Sequence, residues 1–182
     1  MLLEKRFKEY IQEDENVIRD LELVRDLCLP DCYIAAGYIR SIVWDRLHGF
    51  ANRGKYNDID VVFYDAQDTS ENRDYAIESQ LIAKTGNNKW SVKNQARMHV
   101  KNGNSPYTST ENAIAHWPET VTAIGARLDS NHIEILAPYG LEDLFQMTVR
   151  RAPLFHSKEY YLSRIENKNW TSQWPRLRII KD

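Results

Sequence analysis

The chain has 182 residues, a length that accommodates one domain with a buried core and needs no staples. Its 24 Lys and Arg against 26 Asp and Glu leave a formal charge of −2, so bulk electrostatics offer no pull toward nucleic acid or an anionic membrane, and any phosphate affinity must be local. No apolar run reaches membrane-spanning length, and the N-terminus becomes charged at Glu4-Lys5-Arg6 without a secretory core. Cys28 and Cys32 have no second cysteine pair, and His48, His99, His116, His132 and His156 form no zinc motif. A cytoplasmic chain with two buried free thiols is the expectation.

Residues 2 to 28 place Leu3, Phe7, Tyr10, Ile11, Val17, Ile18, Leu21, Val24 and Cys28 near helical spacing, with a polar break at residues 12 to 16; the pattern predicts one interrupted helix or two short ones. After Pro30, Tyr33-Ile34-Ala35-Ala36-Gly37 reads as a short strand ending in a tight turn, and Ile39, Ile42, Val43 and Leu47 resume helical spacing. A polar loop over Asn52-Arg53-Gly54-Lys55-Tyr56-Asn57 leads to a second strand from Ile59 to Tyr64. Ser70 is placed to cap a helix closed by Gly86. From Trp90 to Val100 apolar and polar residues alternate, which predicts a strand with one basic face carrying Lys93, Gln95, Arg97 and His99. Thr108 and Glu111 have capping-box spacing ahead of a short helix ended by Pro118. Thr120 to Leu128 and His132 to Ala137 read as strands around the turn Asp129-Ser130-Asn131, followed by a short helix from Leu141 to Met147 and another from Tyr160 to Lys168 capped by Ser157.

Asp58 and Asp60 carry the strongest chemical signal. Successive strand side chains alternate in direction, so both acids share one face about 6.5–7 Å apart. Two like charges so close suppress each other's ionisation, and a hard cation with oxygen ligands removes that cost. Upstream, Gly37-Tyr38-Ile39-Arg40-Ser41 opens a helix whose free N–H groups and positive dipole end suit an anion, with Arg40 able to fork onto a phosphate. Glu134, between Ile133 and Ile135, points away from the apolar side of its strand. Ordinary surface readings stand beside each: a packed turn at Gly37, a solvated Arg40, and an exposed edge acid at Glu134. Trp170 and Trp174 read more readily as packing of the tail than as a base-stacking platform.

These segments resemble the nucleotidyltransferase superfamily typified by DNA polymerase β and CCA-adding enzymes, in Ala36-Gly37-Tyr38, Asn57-Asp58-Ile59-Asp60-Val61 and Ile133-Glu134-Ile135. The stretches 35 to 45, 90 to 99 and 137 to 145, with the tail Lys168-Asn169-Trp170 and Trp174-Pro175-Arg176-Leu177, resemble a bacterial nucleotidyltransferase-like family within it that names no substrate. The resemblance implies an α/β (α+β) single domain over 1–182 with a mixed, mostly antiparallel sheet flanked by helices: an N-terminal helical segment at 1–29, a catalytic core at 30–150 and a C-terminal helix and tail at 151–182. It implies transfer of a nucleoside monophosphate from an NTP to a hydroxyl or phosphate of a small-molecule or nucleic-acid acceptor by a two-metal mechanism, with Asp58, Asp60 and Glu134 holding the Mg²⁺ or Mn²⁺ ions and acting in catalysis. Gly37, Arg40 and Ser41 would hold phosphates, and Lys93 and Arg97 would form a basic wall beside them. Two departures stand out: Tyr38 follows the turn glycine, where its ring is expected to crowd the phosphate cradle, and the interval from Gly37 to Asp58 is long. The alternatives are a nucleotide- or RNA-binding module of the same fold without turnover, and a nucleotide-sugar glycosyltransferase.

Overall fold

The computed structural model describes residues 2–51, 56–130 and 132–181, so the loop at 52–55 and Asn131 of the expected turn lie outside the described residues. Helices α1 (Leu2–Gln12) and α2 (Glu15–Arg25) resolve the N-terminal pattern into two elements. The break between them is a cap: the Asp14 carboxylate accepts from the N–H groups of Asn16 and Val17, satisfying donors that the first helical turn leaves free. Strand β1 (Tyr33–Ala35) runs directly into α3 (Ala36–Leu47), and β2 (Ile59–Phe63) follows. Helix α4 (Glu71–Thr85) ends at Gly86, whose φ of 66° is the left-handed conformation that glycine adopts without a Cβ penalty. Ser70 occupies the N-cap of α4 without a side-chain cap bond.

Strand β3 (Trp90–Asn94) is shorter than the alternation predicts. The Asn94 side chain accepts from the Asp65 and Ala96 N–H groups and donates to the Asp65 and Asp68 carbonyls, and that polar knot turns the chain into a 3₁₀ turn at Gln95–Arg97 and then α5 (Met98–Asn102). The basic strand face therefore does not exist as expected. Helix α6 (Thr110–Ile114) is capped by Ser109, one residue later than the predicted Thr108. Strand β4 is confined to Gly125–Asp129, because the Glu119 carbonyl accepts from the Thr122 and Ala123 N–H groups and coils the preceding residues. Strand β5 (His132–Leu136), α7 (Glu142–Phe145), β6 (Thr148–Val149), α8 (Lys158–Lys168), α9 (Trp170–Gln173) and β7 (Arg178–Ile179) complete the described elements. Ser157 caps α8 as predicted, accepting from the Tyr160 N–H.

The main sheet has the order β3-β2-β1-β4-β5, antiparallel except for the β2–β3 pair, and β6 and β7 form a small parallel pair. One face buries Ile34, Ile59, Val61 and Phe63 against α1, α2, α3 and the C-terminal helices. The other carries Tyr33, Ala35 and Val62 beneath Ile114, Ala123 and Leu136. The observed architecture is the expected single α+β domain. Cys32 is buried and its thiol is pushed up to about 12, chiefly by burial, whereas Cys28 is exposed, against the expectation of two buried thiols. No helix among the described residues is long and apolar enough to cross a membrane.

Candidate active site

Asp60 sits in β2 opposite Ala35 of β1, and Asp58 lies just before the strand, so both acids emerge where β1 gives way to α3. That junction is strained at Ala36, whose φ of 59° is left-handed for a residue with a Cβ. Gly37 lies inside the first helical turn, so the glycine supplies space and not the turn. Among the described residues, a Cβ there would meet only Arg40 Nη2, at 3.6 Å. The N-cap of α3 is Ala35, which has no side-chain group to cap with, and the Ala36 N–H donates to the Ile124 carbonyl at 2.9 Å.

Around this point opens a cleft of about 600 Å³. Its lining includes Gly37, Arg40, Asp58 and Asp60, four residues expected to share a site. Arg40 is buried with its guanidinium 4.6 Å from the Trp44 ring centroid, 4.5 Å from Trp170 and 5.8 Å from Trp174. Burial pulls it down to about 10, with Glu119 and Asp60 opposing, so it remains charged at neutral pH; its buried Nε has no partner among the described residues. The tail tryptophans thus both pack and line the cleft. Asp60 is pushed up to about 6, first by burial and then by the Asp58 charge, while Lys168, Arg164 and Arg40 pull the other way.

Tyr38 does not crowd the cradle. Its ring is buried, its hydroxyl donates to Asp20 Oδ2 at 2.7 Å, and it meets the Tyr56 ring edge-on at 4.6 Å between centroids. Tyr38 is absent from the cleft lining, although Tyr56, which it meets, belongs to that lining.

Four expected site residues lie elsewhere. Glu134 stands three strands from Asp60, on edge strand β5, about 15 Å away by strand spacing. Its Oε2 accepts from Arg127 Nε at 2.6 Å, so the third acid predicted for the pair is an edge-strand ion pair. Ser41 is buried in α3, outside the cleft lining, its Oγ without a partner among the described residues. Lys93 places its ammonium 5.2 Å from the Tyr75 ring centroid, away from the cleft. Arg97, carried off by the 3₁₀ turn, donates to Asp74 Oδ2 at 2.5 Å, where it neutralises a carboxylate with no exposed surface. The basic wall of Lys93 and Arg97 is replaced by Lys89, Arg164 and Lys168. Arg164 and Lys168 are four residues apart and so share one face of α8, a spacing visible in the sequence. Nothing local marks Thr122, which also lines the cleft, or Glu119, which lies behind it.

One solved structure, described as revealing a CCA-adding enzyme head domain, is similar to this chain at 33% identity with a TM-score of 0.85, covering 97% of this chain and 95% of that one. A CCA-adding enzyme in complex with CTP shares the fold at 14% identity and TM-score 0.58, over 94% of this chain and 42% of that one. A tRNA nucleotidyltransferase complexed with a primer tRNA and an incoming ATP analog does so at 15% identity and TM-score 0.53, over 88% and 46%. The chain thus spans less than half the length of these last two enzymes. No curated protein sequence matches the chain. A nucleotidyltransferase family model matches residues 22–179, which with the head-domain likeness means that the chain belongs to the nucleotidyltransferase family.

Proposed function

We propose that the chain transfers a nucleoside monophosphate from an NTP to a hydroxyl or phosphate acceptor, releasing pyrophosphate. The observation that carries this reading is the meeting of Asp58 and Asp60 with Arg40, Arg164 and Lys168 around one cleft at the N-terminus of α3, where the N-cap Ala35 makes no side-chain cap bond. The solved enzymes of the same fold bound to CTP, or to tRNA with an ATP analog, support an NTP as donor and a nucleic acid among the candidate acceptors. A cytoplasmic setting goes with this chemistry.

The donor set fits a hard divalent cation: two carboxylates two residues apart, one of them pushed up to about 6 by burial and by its neighbour, with room for phosphates to complete the shell. Asp58 and Asp60 would hold Mg²⁺ or Mn²⁺. When bound, such an ion offsets the charge of carboxylates and phosphates together and lowers the pKa of an acceptor hydroxyl. Arg40, oriented by its tryptophan neighbours, and the first turn of α3 receive phosphate oxygens through charge-assisted hydrogen bonds. Arg164 and Lys168 meet the same phosphates from α8. The acceptor's proton leaves to an oxygen of Asp58 or Asp60, the carboxylates that line the cleft, since Glu134 is engaged by Arg127.

The test supplies Mg²⁺, each of the four NTPs labelled at the α-phosphate, and either total RNA or a small-metabolite extract as acceptor pool. Label transfer with pyrophosphate release is expected from the wild type and lost in Asp58→Asn and Asp60→Asn. Tight Mg·NTP binding with no transfer to either pool would instead establish a nucleotide-binding module without turnover, the reading that the distance of Glu134 favours. The family assignment speaks against nucleotide-sugar transfer.

A further inference from the structure

Glu119 has no exposed surface, yet it bears a carboxylate. Its Oε1 accepts from Arg164 Nε at 2.7 Å and its Oε2 from Thr122 Oγ1 at 2.8 Å, and both of those residues line the cleft. The backbone around it is pinned: the Thr120 N–H donates to the Arg150 carbonyl at 3.2 Å and the Ala152 N–H to the Pro118 carbonyl at 3.0 Å. The carboxylate therefore cannot follow Arg164 if the arginine moves. Burying an ion pair does little for stability compared with apolar packing of the same volume, whereas stranding one partner is costly. What such a pair supplies that packing cannot is a fixed direction for a guanidinium. Nε is committed to Glu119, neither Nη group of Arg164 makes a hydrogen bond among the described residues, and the residue lines the cleft.

We infer that Glu119 is a positioning residue of the active cleft: it touches no substrate, but fixes Arg164, with Thr122 beside it, so that the Arg164 Nη groups clamp the phosphates of the incoming nucleotide. This rests on the nucleotidyl-transfer reading for the identity of the ligand. Glu119 thereby ties α8 of the C-terminal part to the turn that enters β4, and the phosphate clamp is assembled from segments 45 positions apart.

The experiment is a double-mutant cycle read by titration with magnesium tripolyphosphate, using wild type, Glu119→Gln, Arg164→Ala and the double variant. Glu119→Gln preserves size and one acceptor oxygen; should it fail to fold, Glu119→Asp, which keeps the charge but retracts it by one methylene, takes its place in the cycle. Each single variant is expected to weaken binding about tenfold, and the double variant no further than the weaker-binding single, because residues acting as one unit are not additive. Wild-type affinity in the Glu119 variant, or losses that multiply in the double variant, would overturn the inference. A wild type that binds neither Mg·NTP nor tripolyphosphate overturns the nucleotidyl-transfer reading instead. The positioning is then decided by NMR of the Arg164 Nε–H: solvent exchange at least about tenfold slower than at the exposed Arg25 supports it, and equal exchange overturns it.

Discussion

Asp60 and Glu134 occupy one face of the same sheet, but in different rows. Asp60 belongs to the row Ser91, Asp60, Ala35, Gly125, Leu136, at the end of the sheet where α3 starts. Glu134 ends the next row, with Arg127 beside it and Tyr33 and Val62 beyond. Asp60 is half-buried beside another acid, with cations converging on the cleft it lines. The Glu134 side chain, 42% exposed, is already paired. An acid's face follows from strand periodicity, but its use follows from its row, and the row depends on strand order and register.

The sharpest way to break this comparison is turnover. Asp60→Asn should lower label transfer at least about 100-fold, the scale on which removal of a preorganised charge acts, while Glu134→Gln stays within about twofold of the wild type on the same scale. Equal losses in the two variants would restore Glu134 to the mechanism.

Arg97 extends the contrast between cleft and scaffold. Arg97→Ala strands the fully buried Asp74 carboxylate, so it should cost about 3 kcal/mol of stability in denaturant unfolding. Its affinity for Mg·NTP should not change. Weakened nucleotide binding without loss of stability would reinstate the basic wall.

The third test uses pH in metal-free buffer. Asp60 sits at about 6 in the folded protein against an ordinary value of 3.8. Between those values the folded state holds the proton that the unfolded state has lost, so stability is greatest at the acid end and falls as pH rises through the window. Two units correspond to at most about 3 kcal/mol, and partial hydration of the group reduces this to about 1–2 kcal/mol. Asp60→Asn should flatten that slope and raise the thermal midpoint at neutral pH; an unchanged slope would show that Asp60 titrates as in water.

The smallest effect belongs to the edge pair. Glu134→Gln should cost under about 1 kcal/mol, because Arg127 and Glu134 are both partly solvated, and the cost should shrink with added salt.

Much of the fold was legible because its signals are local. The apolar spacing of Phe7, Ile11, Val17 and Leu21, the Ser157 cap, the left-handed Gly86 and the β1–α3 junction each depend on residues within a turn or two. The misreadings share one cause. The end of β3 is set by Asn94 bonding to Asp65 and Asp68, 26 or more positions away, and the alternation through Arg97 and His99 carries no trace of those partners. Tyr38 reads from the sequence as an obstruction because its hydroxyl partner, Asp20, lies 18 positions upstream.

By itself the sequence determined the acid pair Asp58 and Asp60 at the mouth of β2 and the helix N-terminus with Gly37 and Arg40, because these follow from strand and turn chemistry over a few residues. Tertiary structure alone decided which charges join them. Packing of the C-terminal tail against α3 brings Trp170 and Trp174 onto Arg40 and Arg164 and Lys168 into the cleft, while the β4–β5 register gives Glu134 to Arg127. Periodicity tells a side chain which way to point, but only the assembled sheet and the helices laid against it determine what it meets there.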